Sequence, residues 1–593
     1  MRLGRHSTAA EDTAVIPADE RQAPSAAQAH QGARRLGEVL VEGGFVSRSD
    51  VLAALDKKRK GAPHRLGRLL IDSGALSERD LTRALAQQSS LPVIELHDVT
   101  PAPEALALIS DATAHRLQAL PVGFAGNSVM VAVADGSAEH AAAIQEAVQR
   151  PVVLHLAAQS DLRRAIDSSY RALAHLEDQV KVFEARDAVR RDAVRAEPEA
   201  VADDAPVIQV VDKILTQALR DRASDVHVEP QDERVRVRYR IDGALHDVLE
   251  LPGSMGAALT SRIKIMAGMN IVERRRPQDG QISTSIEERE VDIRVSTVSV
   301  IGGEKVVMRV LDKSRPLFDL GRLGMPGDMA ERYRAQLHSP YGMVVCSGPT
   351  GSGKTTTLYG SLGELNSPDR NIMTIEDPVE YMFPTINQIQ INEQAGVTFA
   401  NGLRAILRQD PDIILVGEIR DAETARIAVQ SALTGHFVLS SVHATDSVSA
   451  LHRLVDMGIE TFLVASSVTT VLAQRLVRRV CGYCQADHAP TREEVAFLES
   501  LSPGASDDAV WMRGTGCTFC AQTGFLDRVG VYEMMPITSH IRELVIDRAS
   551  HEDVRKIARA QGMSTLVEQA AQLVRAGVTT TSEVMRSVYV VGG

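Results

Sequence analysis

Residues 348 to 355 read Gly348-Pro349-Thr350-Gly351-Ser352-Gly353-Lys354-Thr355 and fit the G-x-x-x-x-G-K-[ST] phosphate-binding loop. The glycines let backbone N–H groups close around phosphate oxygens with no Cβ in the way. A lysine at this place reaches the β- and γ-phosphates, and the Thr355 hydroxyl is a ligand for Mg2+. An apolar strand pattern, Met343 to Cys346, runs into the loop, and a helical pattern starting at Thr356 follows it. The positive end of that helix faces the same anion. This context separates a phosphate site from an incidental glycine turn and implies a nucleoside triphosphate. Two further apolar runs end in acids: Ile413-Ile-Leu-Val-Gly-Glu418 and Met373-Thr-Ile-Glu376-Asp377-Pro-Val-Glu380. Either alone could be a solvated strand end. Two of them after one phosphate loop suit an ATPase, with carboxylates for the Mg2+ shell and for polarising water. Thr434-Gly435-His436 and His443 flank a strand pattern from Phe437 to Ser441; a lone histidine there is as readily a core or surface residue.

The second constellation is sulfur. Cys481-Gly-Tyr-Cys484 and Cys517-Thr-Phe-Cys520 are two C-x-x-C knuckles separated by the 32 residues 485–516. Two matched knuckles suit a closed four-cysteine zinc site, and a redox motif is the alternative. The wide spacing requires the helical stretch Arg492 to Ser500 to loop out and return. Structural zinc contributes on the order of 10 kcal/mol in small domains, enough to order an insert with little core. The fifth cysteine, Cys346, reads as a small buried strand residue.

Positioning these groups takes several domains, since 593 residues exceed a single core. Residues 1–32 are polar and Ala-rich and read as disordered. Residues 33–175 form an N-terminal module that opens with an internal repeat: Arg35-Leu36-Gly37, Leu40, Gly44, Asp50 recurs as Arg65-Leu66-Gly67, Leu70, Gly74, Asp80. Each copy reads as a short helix, a glycine stop and a second helix. A charged linker spans 176–205, a second α+β domain 206–315 and an α/β nucleotide domain 316–479. The cysteine insert occupies 480–530, and 531–593 reads as mostly helical. The net charge of −12 gives no support to a general nucleic-acid binder. No apolar run is long enough to span a membrane, and no secretory-signal pattern opens the chain, so the cytoplasm is the expected location.

With Ser224-Asp-Val-His-Val-Glu-Pro230 and Arg276-Pro-Gln-Asp-Gly280 upstream, these ordered segments resemble the ATPases of type II secretion and type IV pilus assembly. The likeness runs from about residue 33 to the C-terminus. It implies RecA-like domains in a homo-hexameric ring that uses ATP and Mg2+, with Thr356, Glu376 and Asp377 beside the phosphate loop. Glu380 would position or deprotonate the attacking water, and Glu418 would act on the Mg2+ and water shell. His436 and His443 would sense the γ-phosphate or link strands. Arg294 and Arg309 would swing from the second N-terminal domain onto a neighbouring protomer's nucleotide. In this family the four-cysteine insert, here a Zn2+ site, accompanies assembly rather than retraction. The implied partners are inner-membrane platform and cytoplasmic docking proteins, with pilin-like subunits moved indirectly and peripheral membrane association only. Pilus extension is the reading and type II secretion the alternative.

The doubled N-terminal pattern resembles a tandem-motif domain that in relatives binds cyclic di-GMP. Arg35 and Arg65 would stack on guanine or pair with phosphate. Leu36, Leu40, Leu66 and Leu70 would form apolar walls, and Gly37 and Gly67 would admit close approach. Val51, Lys58 and a longer spacer before Arg65 depart from that pattern. A helical docking module that binds only protein is the alternative.

Overall fold

The computed structural model describes residues 35–61, 64–173, 176, 180–185, 205–312 and 320–588. The expected disordered segment 1–32 and most of the expected linker lie outside these residues. The chain divides into two units, Met1–Tyr170 and Arg171–Gly593, so the break falls a few residues before the expected boundary at 175.

In the first unit each repeat copy folds as a helix pair, Leu36–Glu42 with Arg48–Arg59, then Leu66–Asp72 with Glu78–Ser89. Ser47 and Ser77 start the second helix of each pair by accepting the N–H of Asp50 and Asp80. Gly44 and Gly74, both at positive φ, turn the chain between them. A three-stranded sheet follows, β1 (Ala119–Ala125), β2 (Ser128–Val133) and β3 (Val152–Leu156), in that order.

The second unit begins with the helix Ala205–Arg220 and a six-stranded antiparallel sheet. Its strands are β4 (Asp225–Pro230), β5 (Arg234–Ile241), β6 (Ala244–Pro252), β7 (Gln278–Ile286), β8 (Arg289–Val300) and β9 (Gly303–Asp312). Alternation in β5 buries Val235, Val237 and Tyr239 and leaves its arginines on the other face. The spatial order is β6-β5-β4-β9-β8-β7.

The nucleotide domain is built on β10 (Gly342–Ser347), β11 (Ile372–Glu376), β12 (Asn387–Gln390), β13 (Ile413–Val416), β14 (Phe437–Val442) and β15 (Val468–Val480). The insert contributes β16 (Gln485–Asp487), the helix Arg492–Leu501 and β17 (Met512–Gly514), and β18 (Phe525–Pro536) returns to the main sheet. The order is β12-β11-β13-β14-β10-β15-β18, parallel as far as β15 and antiparallel at β18. Every residue of β10 is buried, as a parallel sheet covered on both faces requires. Met343 and Val345 enter the core on one face, Val344 and Cys346 that on the other. The fold is therefore the expected α/β, RecA-like class. Two expected boundaries cut through strands: β15 crosses 479/480 and β18 crosses 530/531. The C-terminal segment thus starts as a sheet edge before its four helices, Ser539–Ile546, His551–Ala560, Leu566–Arg575 and Thr581–Ser587.

Candidate nucleotide site and cysteine cluster

The phosphate loop leaves β10 at its carboxyl end, and β11, β13 and β14 run parallel to it. Parallel pairing brings acids distant in sequence to one edge, where α/β sheets bind ligands. Gly348, Gly351 and Gly353 sit at φ 151°, 77° and 90°, a region an L side chain avoids. A Cβ on Gly348 would strike the Ser352 hydroxyl and lie 2.6 Å from the Gln474 carbonyl oxygen. Pro349 and Thr350 form the exposed tip of the loop. Lys354 opens the helix Lys354–Leu365, and its Nζ donates to the carbonyls of Gly348 and Pro349 at 2.9 and 3.1 Å. Burial lowers the Lys354 pKa, and the Glu418 carboxylate opposes that shift. Thr355 is exposed and Thr356 half-buried. The Ser352 hydroxyl is buried without a hydrogen-bond partner. A cradle that excludes Cβ atoms, an ammonium, an exposed threonine and an orphaned buried hydroxyl together fit a triphosphate with Mg2+.

Glu418 lies two residues beyond β13. It pairs with the Arg420 guanidinium and with His443 Nε2 at 3.3 Å. Arg420 also approaches Asp377 at 3.7 Å, tying together two of the acidic segments. Glu380 accepts from Arg294 Nη2 at 2.8 Å. Arg294 therefore meets an acid of its own chain, where the sequence reading sent it to a neighbour. Arg309 stands opposite Arg294 in the β8–β9 register yet donates to Asp225 at 3.2 Å. Glu376 is buried and accepts from Thr374 at 2.5 Å, from Gln388 at 3.1 Å and from the Tyr359 hydroxyl. Burial raises its pKa against those three donors. With its oxygens taken up internally, Glu376 supports the acidic edge from behind, and a direct nucleotide contact is not its place.

The two histidines separate. His443 follows β14 directly, beside the loop. His436 precedes β14, and its carbonyl accepts the N–H of Gly342 at the opposite end of β10. Six strand residues at about 3.3 Å each put it about 20 Å from the loop. His436 Nδ1 is instead within 3.0 Å of the Ser431 carbonyl. It leaves the candidate catalytic set of its own chain.

Sequence reasoning missed Tyr359, Arg420, Gln474 and Arg475. Gln474 Nε2 donates to the Ser352 carbonyl at 2.8 Å, flooring the loop. Arg475 Nη2 donates to the Thr445 carbonyl at 2.6 Å and steadies the segment after His443. A polar pair inside the apolar run of β15 was the available signal.

The four sulfurs lie within 4.8 Å of one another, with Cys481–Cys517 and Cys484–Cys520 at 3.9 Å and Cys517–Cys520 at 3.7 Å. Zn–S bonds of about 2.3 Å in a tetrahedron place sulfurs about 3.8 Å apart. A disulfide needs about 2.05 Å, so the geometry fits zinc and disfavours a redox pair. The N–H groups of Cys517 and Gly524 point to the Cys520 sulfur at 3.2 and 3.3 Å and would stabilise a thiolate. The insert has more core than its sequence suggested. Leu498, Leu501 and Ala505 pack with Val477, Val531 and Leu566.

In the N-terminal unit Arg35 and Arg65 are exposed and Leu36 and Leu66 half-buried. Leu40 and Leu70 are fully buried in the helix-pair core and form no outer wall. Gly37 and Gly67 serve packing: a Cβ on Gly37 would sit 3.3 Å from Val51 Cγ1, and one on Gly67 2.8 Å from Leu81.

Comparison with known proteins places these features among relatives. The model described as type II/IV secretion system protein matches residues 200–586, and the MshEN domain model matches residues 89–176. The type II secretion system protein HxcR of Pseudomonas aeruginosa is 49% identical over 384 residues, 65% of this chain and 78% of that one. The type IV pilus assembly ATPase PilB of Myxococcus xanthus is 40% identical over 556 residues, 93% of this chain and 98% of that one. The type II secretion system ATPase E of Vibrio cholerae is 44% identical over 384 residues, 65% and 76% of the two chains.

Proposed function

The chain belongs to the type II/IV secretion system protein family, and on that premise we propose that it is a hexameric, Mg2+-dependent ATPase that powers extension of type IV pili at the inner membrane. The observation that carries this reading is the convergence of Lys354, Glu418 with His443, and Glu380 with Arg294 at one sheet edge. Lys354 binds the terminal phosphates, and Glu380 takes the proton of the attacking water. Mg2+, held by Thr355 with Glu418 in its shell, would offset charge on the transferring phosphoryl group. Arg294 holds Glu380 from the second N-terminal domain. Movement of that domain therefore changes how free the carboxylate is to act, and this couples turnover to domain motion. No helix among the described residues is long and apolar enough to cross a membrane. Docking to platform proteins from the cytoplasmic side is the arrangement that fits, with zinc in the cysteine cluster. Cyclic di-GMP, bound through Arg35 and Arg65 of the tandem-motif module, is the regulatory ligand we assign.

Pilus extension is favoured over secretion because likeness to a pilus assembly ATPase covers 93% of this chain, against 65% and 79% for the secretion relatives. Type II secretion is the second reading, supported by secretion relatives 49% and 44% identical over 384 residues. The test is phosphate release by wild type and Glu380→Gln, run with native mass measurement. Glu380→Gln is expected to bind ATP normally and lose at least about a hundredfold in kcat. Equal turnover in the two chains refutes the assignment. In the source cell, a strain carrying Glu380→Gln should lose surface fibres and keep exoprotein export; the reverse selects secretion.

A further inference from the structure

We propose that Tyr359 is a positioning residue for hydrolysis, its hydroxyl fixing the backbone at Glu380 to the helix that follows the phosphate loop. The inference rests on the reading of Glu380 as the acid that handles water. Tyr359 lies on the helix opened by Lys354, and only 2% of it is exposed. Its hydroxyl accepts the N–H of Glu380 at 3.2 Å and donates to the buried Glu376 carboxylate. One oxygen thus links the loop-following helix, the end of β11 and the backbone of the proposed base. The ring is wedged edge-on against Tyr381 and Phe383, with centroids 6.2 and 5.4 Å away. Gln388 closes the same loop from the other side, donating to Glu376 at 3.1 Å and to the Tyr381 carbonyl at 3.0 Å. The Tyr381 hydroxyl continues the chain of contacts to the Asp312 carbonyl, at 3.3 Å, where β9 ends.

The consequence is a mechanical one. Phosphate binding acts on the start of the helix, and Tyr359 carries any displacement to Glu380 and, through Tyr381, to the domain that holds Arg294 and Arg309. Burial keeps the Tyr359 phenol protonated, so it remains a donor to Glu376 at any working pH. Packing around the ring does not require the hydroxyl, which makes Tyr359→Phe a one-atom test.

The experiment uses the full chain as wild type, Tyr359→Phe, Glu380→Gln and the double variant, with single-turnover phosphate release, steady-state kinetics and fluorescent-ATP binding. Tyr359→Phe is expected to lower kcat between about tenfold and about a hundredfold, as small misplacements of a reacting group do. Its KM should stay within about twofold, and the double variant should be no slower than Glu380→Gln, as for residues acting as one unit. Tyr359→Phe turning over at the wild-type rate overturns the inference, as do losses that multiply in the double variant. A matched rise in KM and fall in melting temperature also overturns it, since that pattern belongs to packing. A wild-type chain that releases no phosphate overturns the ATPase reading itself, which tells the two failures apart.

Discussion

At the carboxyl edge of the nucleotide sheet, Lys354, Glu376, Glu418 and His443 follow or end four parallel strands whose faces are covered by two hydrophobic cores. Around Cys481, Cys484, Cys517 and Cys520 the buried apolar support is far smaller, with Leu526 and the half-buried Tyr483 as its non-cysteine members. The first site is shaped before any ligand arrives, by strand register and by glycines that leave room. The second, with zinc as proposed, would be shaped by the metal its sulfurs hold. Pre-organisation by packing costs conformational freedom during folding, whereas pre-organisation by a metal shifts that cost onto binding. An enzyme edge that must stay aligned through repeated turnover suits the first solution. A surface knuckle between two strands suits the second.

The widest gap between the two regions should appear on metal removal. Chelation is expected to release zinc equimolar with chain and to abolish hydrogen-exchange protection at 481–487 and 512–526. The structural metal is worth on the order of 10 kcal/mol where little else holds the ligands. The helix Arg492–Leu501 should stay protected because it shares a core with Val531 and Leu566, and β10 to β14 should not change. If the nucleotide sheet loses protection along with the knuckles, the two regions are one cooperative unit and the contrast fails.

The converse perturbation strikes the edge and spares the knuckles. Gly348→Ala places a methyl at φ 151° against the Ser352 hydroxyl and the Gln474 carbonyl. Strain of about 3 kcal/mol in a loop that must keep its shape lowers nucleotide affinity about a hundredfold. Fluorescent-ATP titration reads that loss, while zinc content should be unchanged. Unaltered affinity would mean that the loop adjusts freely, against the idea that packing sets its geometry.

The contrast also explains what was legible in the sequence. The phosphate loop, the acidic strand ends and the cysteine knuckles were readable because contiguous residue patterns carry each of them. The α/β class followed from strands alternating with helices. Groups placed by pairing of distant strands were not readable. The strand pattern between His436 and His443 was readable, yet the resemblance gave them one shared role; β14 sends them to opposite ends of the sheet. Gln474 and Tyr359 act on the loop and on Glu380 through contacts that no spacing rule encodes. Leu40 and Leu70 were misplaced for a related reason: helix periodicity marks an apolar face, and only the partner helix decides whether that face is core or groove.

The joint between the two regions gives the smallest and most local test. Glu583, itself buried, grips Arg478 of β15 just ahead of Cys481, accepting its backbone N–H at 3.0 Å and its guanidinium at 3.0 and 2.9 Å. Arg586 donates to the same carboxylate. Burial alone would raise the Glu583 pKa, but the hydrogen bonds from Arg586 and Arg478 prevail and hold it below the usual 4.5. A carboxylate with a depressed folded-state pKa stabilises the fold above its unfolded-state value, and that contribution is lost as pH falls through the folded-state value. Glu583→Gln should therefore cost about 2 kcal/mol at neutral pH, the worth of a charge-assisted hydrogen-bond set with one charge removed. The penalty should shrink as pH drops below 4.5, because the unfolded wild-type chain then takes up a proton that the folded one resists, and it is gone once pH lies below the folded-state value. Zinc loss in acid affects both chains alike, so the difference between their urea midpoints isolates the joint. A difference that stays constant down to about pH 3 would assign the cost to side-chain packing, and β15 would then join the cysteine cluster to the nucleotide edge without help from charge.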